Sequence, residues 1–430
     1  MIARLFAIAL VFAATSIAFL VLGGVTTSRT FEQSQELGPE VADLWGRPHQ
    51  QDAPVATFRF SRDEDVSRTE TEEGKTRIVN ETVTRWHEKA VPYSSTDVAA
   101  DIVLDQRLKG LMWYSLYNVA FDATWQYTHR EAETGFLRLV FRFPDASGLF
   151  DGFQLAIDGQ DRAASLQPEN GAVSTEVPVS PGQTISVKVS YRSRGLDEWR
   201  YMPSAGVASL ENFACRIRTS FSEIDYPVGT LSPSSRQDEG DGWVLGWDFS
   251  QVVTGRGIGV LMPSRLQPGE LSTSLSVSAP VSLFFFFLVL FALGTMKKID
   301  LHPVNYLFLA GAFFAFHLLF AYSVDRLAIA EAFTLSSLVS VALVISYLRL
   351  AVGSRFAFVE AGFAQLVYLV GFSLAHFWKG YTGLTVTVLS IVTLGLLMQL
   401  TGRVRWTDAL SAGAKSRQAA GQTPETSALA

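Results

Sequence analysis

"KKIDLHPVNYLFLAG" occupies residues 297–311, between two long apolar runs. It holds two lysines, an acid and a His-Pro pair. His302 could be a ligand or a catalyst, or the stretch could be the punctuation between two membrane helices. Proline suits the first position of a helix, where its missing N–H has no intrahelical partner to lose. A metal site would need further ligands, and the nearest is Asp300. The stretch therefore reads as a helix start at a membrane surface, with His302, Pro303 and Tyr306 opening a span.

The composition agrees with a membrane chain. Of 430 residues, 48% are hydrophobic and only 18% charged, and mean hydropathy is +0.21. A net charge of −6 gives no footprint for a nucleic-acid partner. The single cysteine, Cys215, excludes an intrachain disulfide and any cysteine-based zinc or iron–sulfur site.

A helix needs about 20 mostly apolar residues to cross the hydrocarbon core. Residues 5–25 are the first such run. It is longer than the apolar part of a signal peptide, and "LGGVTTS" is a poor cleavage site, so an uncleaved anchor is expected over residues 1–25. Five more runs follow, at 278–296, 303–323, 327–348, 356–377 and 381–401. Lysine and arginine counts in the short flanks set the direction. Arg4, Lys297, Lys298, Arg349, Arg355, Arg403 and Arg405 fall on one side, and only Arg326 and Lys379 on the other. Both termini are then cytoplasmic and residues 26–277 lie outside, in the periplasm of a bacterial inner membrane. Trp378 and Tyr381 fall at the outer rim and Trp406 at the inner rim.

The outside segment reads as β-rich. "TISVKVSYRSR" (184–194) alternates Ile185, Val187, Val189 and Tyr191 with polar residues, and "GFLRLVFRFPD" (135–145) alternates likewise. "TRIVNETVTRWHEK" (76–89) and "GWVLGWDFS" (242–250) are also strand-like. Turn signals such as "PDASG", "DGQD" and "SPGQ" separate them. A β-sandwich or layered β domain is expected rather than a parallel α/β fold. "LGPEVADLWGRPHQ" (37–50) predicts a short helix after the anchor, "DVSRTETEEGKTR" (65–77) a charged loop or hairpin tip, and "RLQPGELSTSLSVS" (265–278) a connector to the second span. The five-helix bundle spans 278–406, and a disordered cytoplasmic tail follows over 407–430.

Motifs for chemistry are scarce. There is no Walker A loop, HExxH, G-x-S-x-G or EF-hand loop, and "GRGIG" (255–259) lacks the spacing of a dinucleotide fingerprint. No cofactor, metal site or catalytic residue is expected. His49, His87 and His129 read as surface or interstrand residues. Polar residues inside spans are the better signal, because they are costly. His317, Glu331, Glu360, Gln365, His376 and Gln399 qualify. His376 reads as interfacial, and Glu360 as close enough to the cytoplasmic end to reach water or Arg355. The third and fourth spans form a hairpin centred near Val324, with His317 and Glu331 seven residues to either side. Both then sit about 10 Å from the turn. A His317–Glu331 hydrogen bond at matching depth would offset the burial of both.

The chain resembles the CreD-type family of bacterial inner-membrane proteins, associated with cell-envelope integrity. The resemblance lies in "LHPVNYLFLAGAFFAFHLLFAYSVDR" (301–326), "SYLRLAVGSR" (346–355) and "TGRVRW" (401–406). In the outer segment it lies in "EVADLWGRPHQ" (40–50), "VPY" (91–93), "DQRLKGLMWYSLYNVAF" (105–121) and "GWVLGWDFS", with Trp45, Gly46, Arg107 and Gly110 among the matching positions. It covers nearly the full length, in the layout of anchor, large periplasmic domain and helical bundle. His317 departs from it, standing where the family tends to have tyrosine, so the His317–Glu331 pair is particular to this chain. The resemblance implies a non-enzymatic protein of envelope maintenance or stress response, with lipid bilayer and envelope proteins as partners. A small-molecule or lipid transporter using the bundle is the alternative. A membrane enzyme ranks lower, for want of a nucleophile, metal set or paired acids.

Overall fold

The computed structural model describes residues 2–402 apart from 73, 74, 111 and 379. Lys379, Arg403, Arg405, Trp406 and the expected tail therefore lie outside the described residues. The chain divides into two compact units. One comprises 1–36, 110–112 and 266–430, and the other 37–109 and 113–265.

Among the described residues, six helices are long and apolar enough to cross a membrane. They are α1 (Ile2–Trp45), α2 (Pro268–Met296), α3 (Pro303–Ser323), α4 (Ile329–Ala351), α5 (Phe356–Phe377) and α6 (Thr382–Thr401). Two differ from expectation. The anchor and the short helix after it are one helix, ending at Trp45. The connector before the second span is helical from Pro268, a proline at the first turn. In both places polar residues extend an apolar helix, which hydropathy alone does not register. α5 is irregular, with π-helical turns at Phe356–Ala361 and Leu366–Gly371.

In the helical unit the buried residues are mainly Phe, Leu and Ala, from Phe19 through Phe286 and Phe313 to Leu369. Ion pairs mark the two ends of this unit. Arg4 pairs with Asp300, and Lys297 with Glu360; at the other end Arg29 pairs with Asp325. α1 therefore runs alongside α3 in the same direction.

The second unit is a β-sandwich. Its strands are β1 (His49–Asp52), β2 (Val55–Glu72), β3 (Lys75–Ala90), β4 (Ser95–Lys109), β5 (Met112–Thr128), β6 (Gly135–Arg142), β7 (Asp151–Ile157) and β8 (Gln160–Asp161). They continue with β9 (Ala172–Val179), β10 (Thr184–Leu196), β11 (Glu198–Met202), β12 (Ala208–Thr219), β13 (Ser235–Asp238), β14 (Trp243–Thr254) and β15 (Ile258–Leu261). The main sheet has eight strands in the order β13-β14-β12-β4-β5-β10-β7-β8, with β4 and β12 parallel at its centre. A four-stranded antiparallel sheet, β3-β2-β6-β9, and a three-stranded one, β1-β11-β15, complete the unit. The segment expected as a charged loop or hairpin tip, 65–77, falls at the far end of the antiparallel β2–β3 ribbon, paired from Thr57–Ala90 to Glu72–Lys75, as the hairpin alternative has it. Both faces of such a ribbon meet water, so charge on either face is compatible with strand.

Alternation drives the packing. Val187, Val189 and Tyr191 point inward from the eight-stranded sheet, and Leu137, Leu139 and Phe141 from the four-stranded sheet. The Phe141 and Tyr191 rings lie 6.4 Å apart, and Phe121 lies 6.3 Å from Trp199 of the three-stranded sheet. The three sheets thus share one core. Trp125, Trp199 and Trp247 are fully buried in it, as is the free thiol of Cys215. Each large apolar side chain buried this way contributes on the order of 2–3 kcal/mol. A unit with a core of this kind has no need of disulfide staples.

Candidate functional site

The helix-start motif forms as expected. His302 is the N-cap of α3 and its Nδ1 accepts the Val304 N–H at 3.3 Å. Pro303 occupies the first helical position, and the buried Tyr306 packs edge-on against Phe287 at 5.1 Å. Asp300 is taken by Arg4, so the nearest acid to His302 is already paired.

His317 and Glu331 are not brought together. His317 is buried, its Nδ1 3.1 Å from the Phe313 carbonyl and its ring against Phe19 and Phe316. Glu331 is exposed in the first turn of α4, where its carboxylate accepts the Ala328 N–H at 3.4 Å. The turn explains the miss. It runs from Val324 to Ala328, so α4 starts late and Glu331 sits near its beginning. His317 lies six residues inside α3, about 9 Å deeper than that helix end.

The polar groups that do meet in the helical unit are mostly small. Ser340 Oγ donates to the Ala312 carbonyl at 2.7 Å and accepts Gln365 Nε2 at 2.9 Å, tying α3, α4 and α5 together. Ser282 Oγ donates to the Tyr368 carbonyl at 2.6 Å, a group inside the second π-helical turn. Tyr368 in turn donates to Thr393 at 3.0 Å. His376 is buried at the end of α5, with Nε2 2.9 Å from Ser278 Oγ. Glu360 pairs with Lys297 and not with Arg355. Gln365 Oε1 and His376 Nδ1 are buried without a partner among the described residues. The serines carried no signal in the sequence, since one hydroxyl in an apolar run barely alters hydropathy.

In the β-rich unit two of the outer positions named above, Trp45 and Arg107, meet. Val41 is fully buried against Leu116 and Leu196, which seats the last turns of α1 on β5 and β10. Trp45 lies beneath the Arg107 guanidinium at 5.6 Å and the Lys109 ammonium at 5.8 Å. Glu40 pairs with Lys109 at 2.7 Å, one turn back along the helix. Gly46 ends the helix at φ +112°, and a Cβ there would stand 2.4 Å from the Arg194 carbonyl oxygen. Only glycine fits that approach. Gly110 follows β4 with φ +61°. The charges of this cluster are compensated, Lys109 by Glu40 and Arg107 by Asp105.

Of the three histidines read as surface or interstrand residues, His49 and His129 are buried. His129 lies between Tyr127 Oη at 2.8 Å and the Glu133 carbonyl at 2.7 Å. His49 is 1% exposed, near the Tyr117 and Phe150 rings, and neither ring nitrogen has a partner among the described residues. Burial pushes its pKa down to about 4, against a weak opposing pull from Asp145. His87 remains at the surface, 3.0 Å from Glu64. Beside His49, Gln51 is fully buried and satisfied by Tyr191 Oη at 2.7 Å and the Arg142 carbonyl at 3.1 Å. No group of three metal-ligating side chains occurs among the described residues.

No family model and no curated sequence matches this chain. Among solved structures, one from Legionella pneumophila, described as a "putative nutrient binding protein", is similar at a TM-score of 0.34 and 10% identity. The likeness covers 67% of this chain and 98% of that one.

Proposed function

We propose that this is a non-enzymatic bacterial inner-membrane protein of the CreD type. In this reading it crosses the membrane six times, keeps both termini in the cytoplasm and holds the β-rich unit in the periplasm. That unit engages envelope components or partner proteins in envelope integrity and stress response, and the helices serve as its platform. One observation carries the reading. Segments far apart in the chain that resemble the family meet at one joint, where Trp45 packs under Arg107 and Lys109. The Lys and Arg asymmetry of the helix flanks supports the orientation.

Topology is tested first. Cys215 is buried, so single cysteines placed at Ser147 and at Lys298 supply the reactive thiols. In intact cells a membrane-impermeant maleimide should label Ser147→Cys and spare Lys298→Cys. Labelling of Ser147→Cys only after lysis would overturn the reading. In a deletion strain under cell-wall stress, the anchored β-rich unit, residues 1–265, should restore growth to a measurable extent.

A transporter is the second reading. It is favoured by the unpartnered Gln365 Oε1 between the two π-helical turns of α5, because such turns recur at functional positions. Complete failure of the anchored β-rich unit, with loss of rescue by full-length Gln365→Leu at normal abundance, would select it.

A further inference from the structure

The outer face of the four-stranded sheet carries a trough that none of the motifs above accounts for. It has a volume of about 500 Å³ and is lined by Ser61, Trp86, Phe136, Pro178 and Gln183 among others. The register explains the grouping. Ser61 pairs with Trp86 across β2 and β3, Arg59 with Phe136 across β2 and β6, and Phe136 with Pro178 across β6 and β9. All these side chains share the face opposite the core residues Phe58 and Leu137.

Trp86 is 57% exposed and Phe136 40% exposed, with ring centroids 6.3 Å apart. Cross-strand packing accounts for their contact. It does not account for the ring surface left in water, which is costly on a rigid sheet face. Trp86 is also held in place. The Arg59 guanidinium lies over it at 5.7 Å and is fixed by Glu88 at 2.9 Å and Glu176 at 2.5 Å. Arg138 faces Glu176 across β6 and β9 on this same side, so two guanidiniums meet two carboxylates and the cluster carries no net charge. The rim is neutral, with the hydroxyls of Ser61, Thr134 and Ser180 and the amide of Gln183.

A fixed aromatic floor with a neutral hydroxyl and amide rim suits a ligand with a flat C–H face and equatorial hydroxyls. A charged ligand finds no net counter-charge in this cluster, and a purely apolar one would strand the rim groups. The volume lies within the range of small-molecule sites. We infer that this trough binds a neutral β-1,4-linked oligosaccharide, its pyranose faces stacked on Trp86 and Phe136. The inference rests on the proposed role of this unit in engaging envelope components and names the chemistry engaged.

The test uses the full-length protein in phospholipid nanodiscs, because sugar-headed detergents would compete for the site. Triacetylchitotriose and cellotriose are titrated calorimetrically. At least one should bind saturably, and Trp86→Ala should weaken it at least about tenfold, as expected on removal of a central aromatic contact. Phe136→Ala should weaken it too, and Trp86→Phe should retain part of the affinity. Equal melting temperatures of the variants exclude a folding defect. Absence of saturable binding by either trisaccharide, or full affinity in Trp86→Ala, overturns the inference. Binding to purified protein does not depend on which side of the membrane the unit occupies. A failed titration therefore leaves the topology reading standing, and failed cysteine labelling leaves the trough standing.

Discussion

His49 makes the β-rich unit sensitive to acid, and the size of the effect follows from its burial. Its pKa falls from an ordinary 6.5 to about 4 in the folded protein. The unfolded chain therefore holds more protons between those values, and stability rises with pH across that window. The contribution is fully present above pH 6.5 and is lost as pH falls toward 4, where the cost reaches about 3 kcal/mol. At pH 5 the loss relative to pH 7 is about 2 kcal/mol. For a unit of this size that lowers the melting temperature by about 4–8 °C. Asp197 acts in the opposite direction, since burial and Glu198 raise its pKa. The measurement must therefore be a difference between variants. His49→Leu removes the titrating ring together with two buried nitrogens that lack partners. At pH 7 it should be as stable as the parent or more so, because no hydrogen bond is lost. Melting of the full-length protein in nanodiscs, followed by tryptophan fluorescence, should fall less between pH 7 and pH 5 in His49→Leu than in the parent. Equal falls would refute the assignment of this pH dependence to His49.

The geometry gives further expectations. Gly46→Ala must move the Arg194 carbonyl away from a contact of 2.4 Å and adopt φ +112°, so it should cost on the order of 2 kcal/mol or more, read as a lower melting temperature. Tyr191→Phe leaves Gln51 Oε1 buried without its donor, at a cost of about 1–3 kcal/mol in the same assay. A double-mutant cycle of His317→Leu and Glu331→Gln should show additivity within about 0.5 kcal/mol, and a larger coupling would mean that the two groups do interact. Ser340→Ala should destabilise the helical unit by about 0.5–2 kcal/mol, since it removes the donor to Ala312 and the acceptor of Gln365, and thermal stability in nanodiscs reads the change.

Much of the architecture was legible because burial imposes a period on sequence. The run at 303–323 is the α3 helix, and Ile185, Val187, Val189 and Tyr191 are the inward face of β10. What escaped had no such period. The serine-rich start of α2 and the polar end of α1 are helical without being apolar. The charged far end of the β2–β3 ribbon carries no apolar face, so the sequence left loop and hairpin tip undecided there. His49 and Gln51 alternate inward on β1, but two polar residues beside an Arg-Pro pair resemble a surface turn. The His317–Glu331 pairing failed because depth was counted from an assumed turn centre, and the real turn is asymmetric. The aromatic trough was invisible for another reason. Trp86 and Phe136 lie on different strands, and only the register makes them neighbours.

The parallel pairing of β4 with β12 has a consequence for how this protein is made. Val98 of β4 sits beside Cys215 of β12, more than a hundred positions later in the chain. The centre of the largest sheet stays open until that distant strand arrives, and such long closures slow folding. Until then β4 presents an unpaired edge to other chains and to proteases. Cys215 is the protein's own clock for this event. Its thiol is accessible while β12 is undocked and sealed once the sheet closes, so the rate at which a pulse of alkylating reagent ceases to modify it measures the completion of the sandwich.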